Sequence, residues 1–220
     1  MRKLQVDSEF DVSEAVRLPL LNQVDWKINP CRTAVLVHDM QRFFLNPFPK
    51  KIEKTFTDNT IALITLARNE GVPIAYSGQD GKMTLKDRGL MGDFWGSGMK
   101  NLSEQRRWIE GIDPEPAELL LTKKRYSAFY GTSLLPWLQS LNRDQLIICG
   151  VYSHVGILAT ALDAFTHDVQ TFIVADATGD MTAELYRMGL KQAALTCAKI
   201  ELLSTVSSAL NKHPEVKTIK

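Results

Sequence analysis

Cysteine is scarce in this chain. Cys31, Cys149 and Cys197 are the only three among 220 residues, an odd number without CxxC spacing, which argues against a disulfide framework or a zinc ribbon. Each reads as a small buried apolar residue. Long apolar runs are also missing: no segment approaches the roughly 18–20 residues of a membrane span. Residues 1–10 alternate charge with small apolar groups where a signal peptide would have its apolar core. The expectation is a cytoplasmic, unprocessed protein with no membrane partner. Net charge is nearly absent, 26 Lys+Arg against 25 Asp+Glu. The densest basic stretch, 123–125, is too short to grip a polyanion, so no nucleic-acid partner is expected. GxGxxG, GxxxxGK[ST] and GxSxG are all lacking, which removes the common dinucleotide, nucleotide triphosphate and serine-elbow readings. His38, His154, His167 and His213 show no HxH or HExxH spacing, so neither a metal nor another cofactor is implied.

What is present is an alternation. A chain that is 45% hydrophobic and 23% charged has enough apolar surface for one sizeable core. No repeat or low-complexity linker divides it. Short apolar runs at 34–37, 72–76, 119–122, 145–149, 171–175 and 200–203 read as strands. Helical spacing occupies 60–70, with Asp58 or Asn59 as the cap and Gly71 just past the end, and recurs over 133–141, 155–165 and 182–198. Strands alternating with helices imply a single-domain three-layer α/β/α architecture around a mostly parallel, about six-stranded Rossmann-like sheet. An extended N-terminal arm over 1–30, a body over 31–210 and a tail over 211–220 complete the expected organisation.

In such sheets ligands bind beyond the carboxyl ends of the strands. The polar residues there are Asp39, Gln79 in the 78–81 turn, Arg88, Lys123 and the glycine-flanked turn 150–156. Singly they have bland readings: Asp39 as a helix cap, Gln79 as a turn residue, Arg88 and Lys123 as solvated charges. At least two of Phe43, Phe44, Phe94 and Trp95 read as ordinary core aromatics. Together the polar residues place an acid, an amide and two cations around one crevice.

Five blocks carry a resemblance: VLVHDMQRFF at 35–44, YSGQ at 76–79, DRGLMGDFWGSGM at 87–99, KKRYSAF at 123–129 and QLIICGVYSHVGILATALDAF at 145–165. They are similar to the isochorismatases, within the isochorismatase-like hydrolase superfamily that also holds nicotinamidases, and the similarity runs from about 22 to 203. The superfamily's amidases use an Asp, a Lys and a nucleophilic Cys. By motif these fall on Asp39, Lys123 and Gly156, so the thiol is missing. The resemblance therefore implies hydrolysis of the enolpyruvyl vinyl ether of isochorismate, or of 2-amino-2-deoxyisochorismate in phenazine biosynthesis. A nicotinamidase-like amidase and a non-catalytic subunit are the competing readings.

In the implied chemistry Asp39 is the general acid, and Lys123 orients the substrate and stabilises the departing oxygen. Arg88, Gln79 and the backbone around Gly156 bind carboxylate and hydroxyl groups. Tyr152 lines the ring, and Phe43 with Trp95 wall off water. Glycine at 156 is expected to make room for the enolpyruvyl group, and a cis peptide is expected at Val151-Tyr152. The resemblance further implies a homodimer. The segment 204–208 lacks a carrier-type Asp-Ser-Leu, so no aryl carrier domain is expected, and any such partner is a separate protein.

Overall fold

A computed structural model describes residues 12–211. Six parallel strands, β1 (Thr33–His38), β2 (Ile74–Gly78), β3 (Leu119–Thr122), β4 (Gln145–Val151), β5 (Gln170–Gly179) and β6 (Ala198–Glu201), form one sheet in the order β3-β2-β1-β4-β5-β6. β1, β2 and β4 are buried along their whole length, as helices on both faces require, which explains the unbroken apolar stretches 34–37 and 146–149 in β1 and β4. β3 lies at the edge and leaves Leu120 exposed. The strand order reverses between β1 and β4, and the crevice at a reversal lies outside the carboxyl ends of those two strands.

The helices are α1 (Arg42–Leu45), α2 (Lys50–Asn69), α3 (Leu85–Arg88), α4 (Met91–Trp95), α5 (Ser103–Arg106), α6 (Leu134–Ser140), α7 (Leu158–Thr166), α8 (Ala183–Thr196) and α9 (Leu203–Leu210). α2 packs on the sheet and on α9, whereas α7 packs on α8, and α8 on a 3-10 helix, Val12–Leu21, that also contacts β5 and β6. Among the described residues no helix is long and apolar enough to cross a membrane.

Three expectations need correction. The helix expected over 60–70 starts at Lys50, after Pro49. Buried Ile52, Phe56 and Thr60 recur every four residues, but the charged residues Lys50, Lys51, Glu53 and Lys54 around Ile52 mask that face in the sequence. Asp58 pairs with Lys54 at 2.7 Å inside the helix and Asn59 donates to the Asp176 carbonyl at 2.7 Å, so neither caps it. The helix end is as expected, with Gly71 at φ 65. Second, the N-terminal arm is not extended throughout. The 3-10 helix buries Ala15 and Leu18, and Asn22 clamps Ile200 through both its backbone groups at 2.7 and 2.8 Å. The 1–11 part of the arm and the tail from 212 lie outside the described residues. Third, Cys149 and Cys197 are buried, but Cys31 is exposed in the turn entering β1.

Candidate active site

Asp39 is the first residue beyond β1. Its φ of 55 places it in the left-handed region, which Asp tolerates better than most side chains. Its carboxylate is buried. Oδ1 accepts from the Ser77 hydroxyl at the end of β2, 2.9 Å away, and Oδ2 accepts from Lys123 Nζ, also at 2.9 Å. Lys123 follows β3 directly, so the alignment of three neighbouring strands builds this contact. The lysine donates also to the Arg125 and Tyr126 carbonyls at 3.1 and 3.2 Å. An ammonium has three donors, and all three are thereby used. Contact between Lys123 and a departing substrate oxygen, expected from the sequence, would require one of these bonds to be given up.

The opposite side is the turn leaving β4. The Val151-Tyr152 peptide is cis, as the resemblance implied, and a π-helical turn, Ser153–Ile157, leads into α7. Buried Asp180, beyond β5, fastens this turn by accepting from Ser153 Oγ, from the His154 backbone at 2.8 Å and from the His154 ring at 2.8 Å. The Tyr152 hydroxyl donates to the Phe44 carbonyl, and its ring stacks on Phe48 at 5.9 Å. Cys149 lies within β4, where burial pushes its thiol up to about 12, so it offers no nucleophile near neutral pH.

Gly156 requires a correction. The expected room for substrate is already taken: a Cβ added at 156 would overlap His38 Cε1 and stand 3.1 Å from Nε2. The ring that fills this space is wholly buried and lies 2.8 Å through Nδ1 from the Val151 carbonyl, which assigns the proton to Nδ1. Burial pulls the imidazolium down to about 4, helped by the Lys123 cation and opposed by Asp39. The unfolded chain takes up that proton near 6.5, so between about pH 6.5 and 4 it binds a proton that the folded chain refuses. Stability therefore falls across this window by roughly 3 kcal/mol and is unaffected by His38 above it. Urea unfolding at pH 7.5 and 4.5 should show a steeper loss for the parent than for His38→Asn. Equal losses would locate the pH dependence elsewhere.

The rest of the wall comes from the 79–107 segment. Gln79 is buried, and its Oε1 has no hydrogen-bond partner among the described residues. Its backbone is gripped by Gln41, which accepts from the Gln79 N–H at 2.7 Å and donates to the carbonyls of Gln79 and Arg106, both at 2.9 Å. Arg88 is 2% exposed. It donates to the Gly96 carbonyl at 2.6 Å and the Met91 carbonyl at 3.4 Å, and no carboxylate among the described residues pairs with it. Gly98, at φ 68, lets the guanidinium lie against the backbone, since a Cβ there would overlap Nη1. Trp95 Nε1 donates to the Tyr126 hydroxyl at 2.7 Å, holding α4 to the body.

These groups meet in one cavity of about 500 Å³, whose wall includes Asp39, Gln79, Arg88, Lys123, Tyr152, Gly156, Phe43 and Trp95. Every residue assigned to the site by sequence is thus in the same place, and the solvated-charge readings of Arg88 and Lys123 fail because both are buried. The core reading of the aromatics holds for two of the four: Phe44 and Trp95 pack against the core while also lining the cavity, Phe43 is half-buried on the cavity wall, and Phe94 is exposed. Sequence reasoning missed His38, Gln41, Ser77 and Asp180. The first three sit inside the quoted HDMQ and YSGQ blocks, whereas Asp180 has no local signal.

Residues 33–204 match the model of the isochorismatase domain family. The phenazine biosynthesis protein PhzD of Pseudomonas fluorescens is 45% identical over 81% of this chain and 86% of its own length. The isochorismatase of Bacillus subtilis (strain 168) is 37% identical over 88% of this chain and 62% of its own. Among solved structures, a cysteine hydrolase from Pseudomonas syringae pv. phaseolicola 1448A superposes with a TM-score of 0.77, covering 86% of this chain and 96% of that one at 24% identity, a likeness of fold. With the family model spanning the whole sheet and relatives of this identity over most of its length, the chain belongs to the isochorismatase family.

Proposed function

We propose that this protein is a vinyl ether hydrolase that splits isochorismate into pyruvate and 2,3-dihydro-2,3-dihydroxybenzoate, with Asp39 as the general acid. The observation that carries the reading is a buried carboxyl group on the cavity wall beside Gly156, a position with no side chain to act as nucleophile. An amide or ester hydrolase working through a covalent intermediate needs such a group. A vinyl ether needs only an acid: a proton goes to the terminal methylene carbon, the π electrons move to leave an oxocarbenium ion, and water captures it, giving up a proton that restores the acid. The resulting hemiketal loses the ring alcohol and becomes pyruvate.

Asp39 supplies the proton, and the carboxylate left behind is met by the Ser77 hydroxyl and the Lys123 ammonium. Lys123 therefore acts on the acid, at the atom where negative charge appears. Arg88 receives one substrate carboxylate through its remaining N–H groups, and the unpartnered Gln79 amide offers an acceptor to a ring hydroxyl. Tyr152 presents its ring, with Phe43 and Trp95 closing the apolar side against water. A cavity of about 500 Å³ suits a small dicarboxylate.

Turnover in heavy water tests the order of events. Pyruvate released by carbon protonation carries one solvent deuteron in its methyl group, whereas unlabelled pyruvate would rule the acid-first step out. A second substrate, 2-amino-2-deoxyisochorismate, is supported by the similarity to the phenazine biosynthesis protein. The ratio of kcat/KM for the two compounds decides between them. The same family relationship supports a cytoplasmic homodimer, readable by sedimentation, and an aryl carrier partner, readable by pull-down with a purified carrier.

A further inference from the structure

His38 plays no part in the reaction derived above. It is not on the cavity wall, yet it is wholly buried, with Nδ1 3.8 Å from the Asp39 carboxylate. Its surroundings hold it on two sides. Nδ1–H donates to the Val151 carbonyl at 2.8 Å, before the turn, and Nε2 lies 3.4 Å from Thr160 Oγ, after it. Thr160 is itself anchored, donating to the Gly156 carbonyl at 2.7 Å and accepting from the Ala128 N–H at 3.0 Å. The ring thus spans the base of the segment that carries Gly156. The three atoms nearest to a Cβ added at 156 all belong to this ring: Cε1, which it would overlap, then Nε2 at 3.1 Å and Nδ1 at 3.4 Å. These are not the far end of a flexible side chain. The imidazole is rigid, bonded and enclosed, so it cannot give way without breaking its bond to Val151.

We propose that His38 is a specificity-determining, positioning residue that closes position 156 to any side chain. The absence of a nucleophile beside Asp39 is then enforced by two residues: glycine at 156 and the ring that occupies its side-chain volume. Restoring a thiol, or even a methyl group, at 156 alone does not yield a working site, because the group and His38 require the same space. The inference deepens the vinyl ether reading, since a site kept free of a nucleophile is one committed to acid catalysis, but the steric coupling itself does not depend on which substrate is used.

The test is a double-mutant cycle of His38→Ala, Gly156→Ala and the pair, followed by urea unfolding and by kcat/KM for isochorismate. Gly156→Ala alone should lose stability and at least about tenfold in kcat/KM, whereas in the His38→Ala background the same change should cost less than about threefold, so that the second substitution rescues the first. If His38→Ala is too unstable to purify, His38→Val carries the same cycle, because valine suits a buried strand and withdraws the ring. Additive effects, or a Gly156→Ala protein as stable and active as the parent, overturn the proposal. Because unfolding needs no substrate, a coupled cycle in a protein inert toward isochorismate overturns the reaction instead and leaves this inference standing.

Discussion

Asp39→Asn should lower kcat by about 10²–10⁴-fold, the contribution expected of a positioned general acid, while substrate affinity stays within a few fold. The substitution isolates the proton. Asparagine tolerates the left-handed backbone at φ 55 as well as aspartate does. Its amide oxygen can still accept from Lys123 and its NH2 can donate to Ser77 Oγ, whose hydroxyl can serve as acceptor as readily as donor. What disappears is the carboxyl proton and the anion it would leave. Single-turnover rates give the chemical step, and calorimetric titration of the inactive variant with substrate gives the affinity. Turnover within about threefold of the parent would exclude Asp39 as the proton donor. An affinity loss as large as the rate loss would make it a binding group. Lys123→Met serves as the companion: Asp39 then keeps its proton source but loses the cation 2.9 Å from the oxygen that becomes charged, so kcat should fall with little change in KM.

The sheet was legible because its strands are buried on both faces. Residues 34–37 and 146–149 are uninterrupted apolar runs, as strands covered by helices on both sides require. The start of α2 was hidden for the opposite reason. A helix with one face on the sheet carries its charges between the buried residues, and Asp58 and Asn59 imitate a cap that the tertiary structure does not use. The site was legible wherever a polar residue directly follows a strand, as Asp39 and Lys123 do. What the sequence could not convey is occupancy of space. Gly156 reads as a vacancy until the neighbouring strand is in place, and only then is His38 found to fill it. Likewise Lys123 reads as a group with donors to spare until the Arg125 and Tyr126 carbonyls are seen to take two of them. Asp180 joins β5 to the turn after β4, a contact between segments 26 residues apart that no local pattern encodes.

Arg88→Met should raise KM by about 10²–10⁴-fold and leave kcat nearly unchanged, without loss of stability. A hydrogen bond to a charged group is worth about 1.5–3 kcal/mol, and a forked guanidinium–carboxylate pair contains two of them. The stability half of the prediction follows from the same burial. The guanidinium is 2% exposed, and burial lowers its pKa, the sign of a cation held at a cost. Its partners are the Gly96 and Met91 carbonyls, with no carboxylate among the described residues to offset its desolvation. Methionine approximates the length and flexibility of the arginine stem while removing the charge, so the unliganded variant should melt at the same temperature as the parent or above it. Arg88→Lys should not restore affinity, because an ammonium is a point donor on a shorter reach and cannot fork around a carboxylate. Steady-state kinetics and thermal unfolding of the same preparations separate the outcomes. An unaltered KM with a lowered melting temperature would make Arg88 a strut for α4 and remove it from substrate recognition, whereas a raised KM with an intact fold identifies the buried cation as the receptor for the substrate's carboxylate.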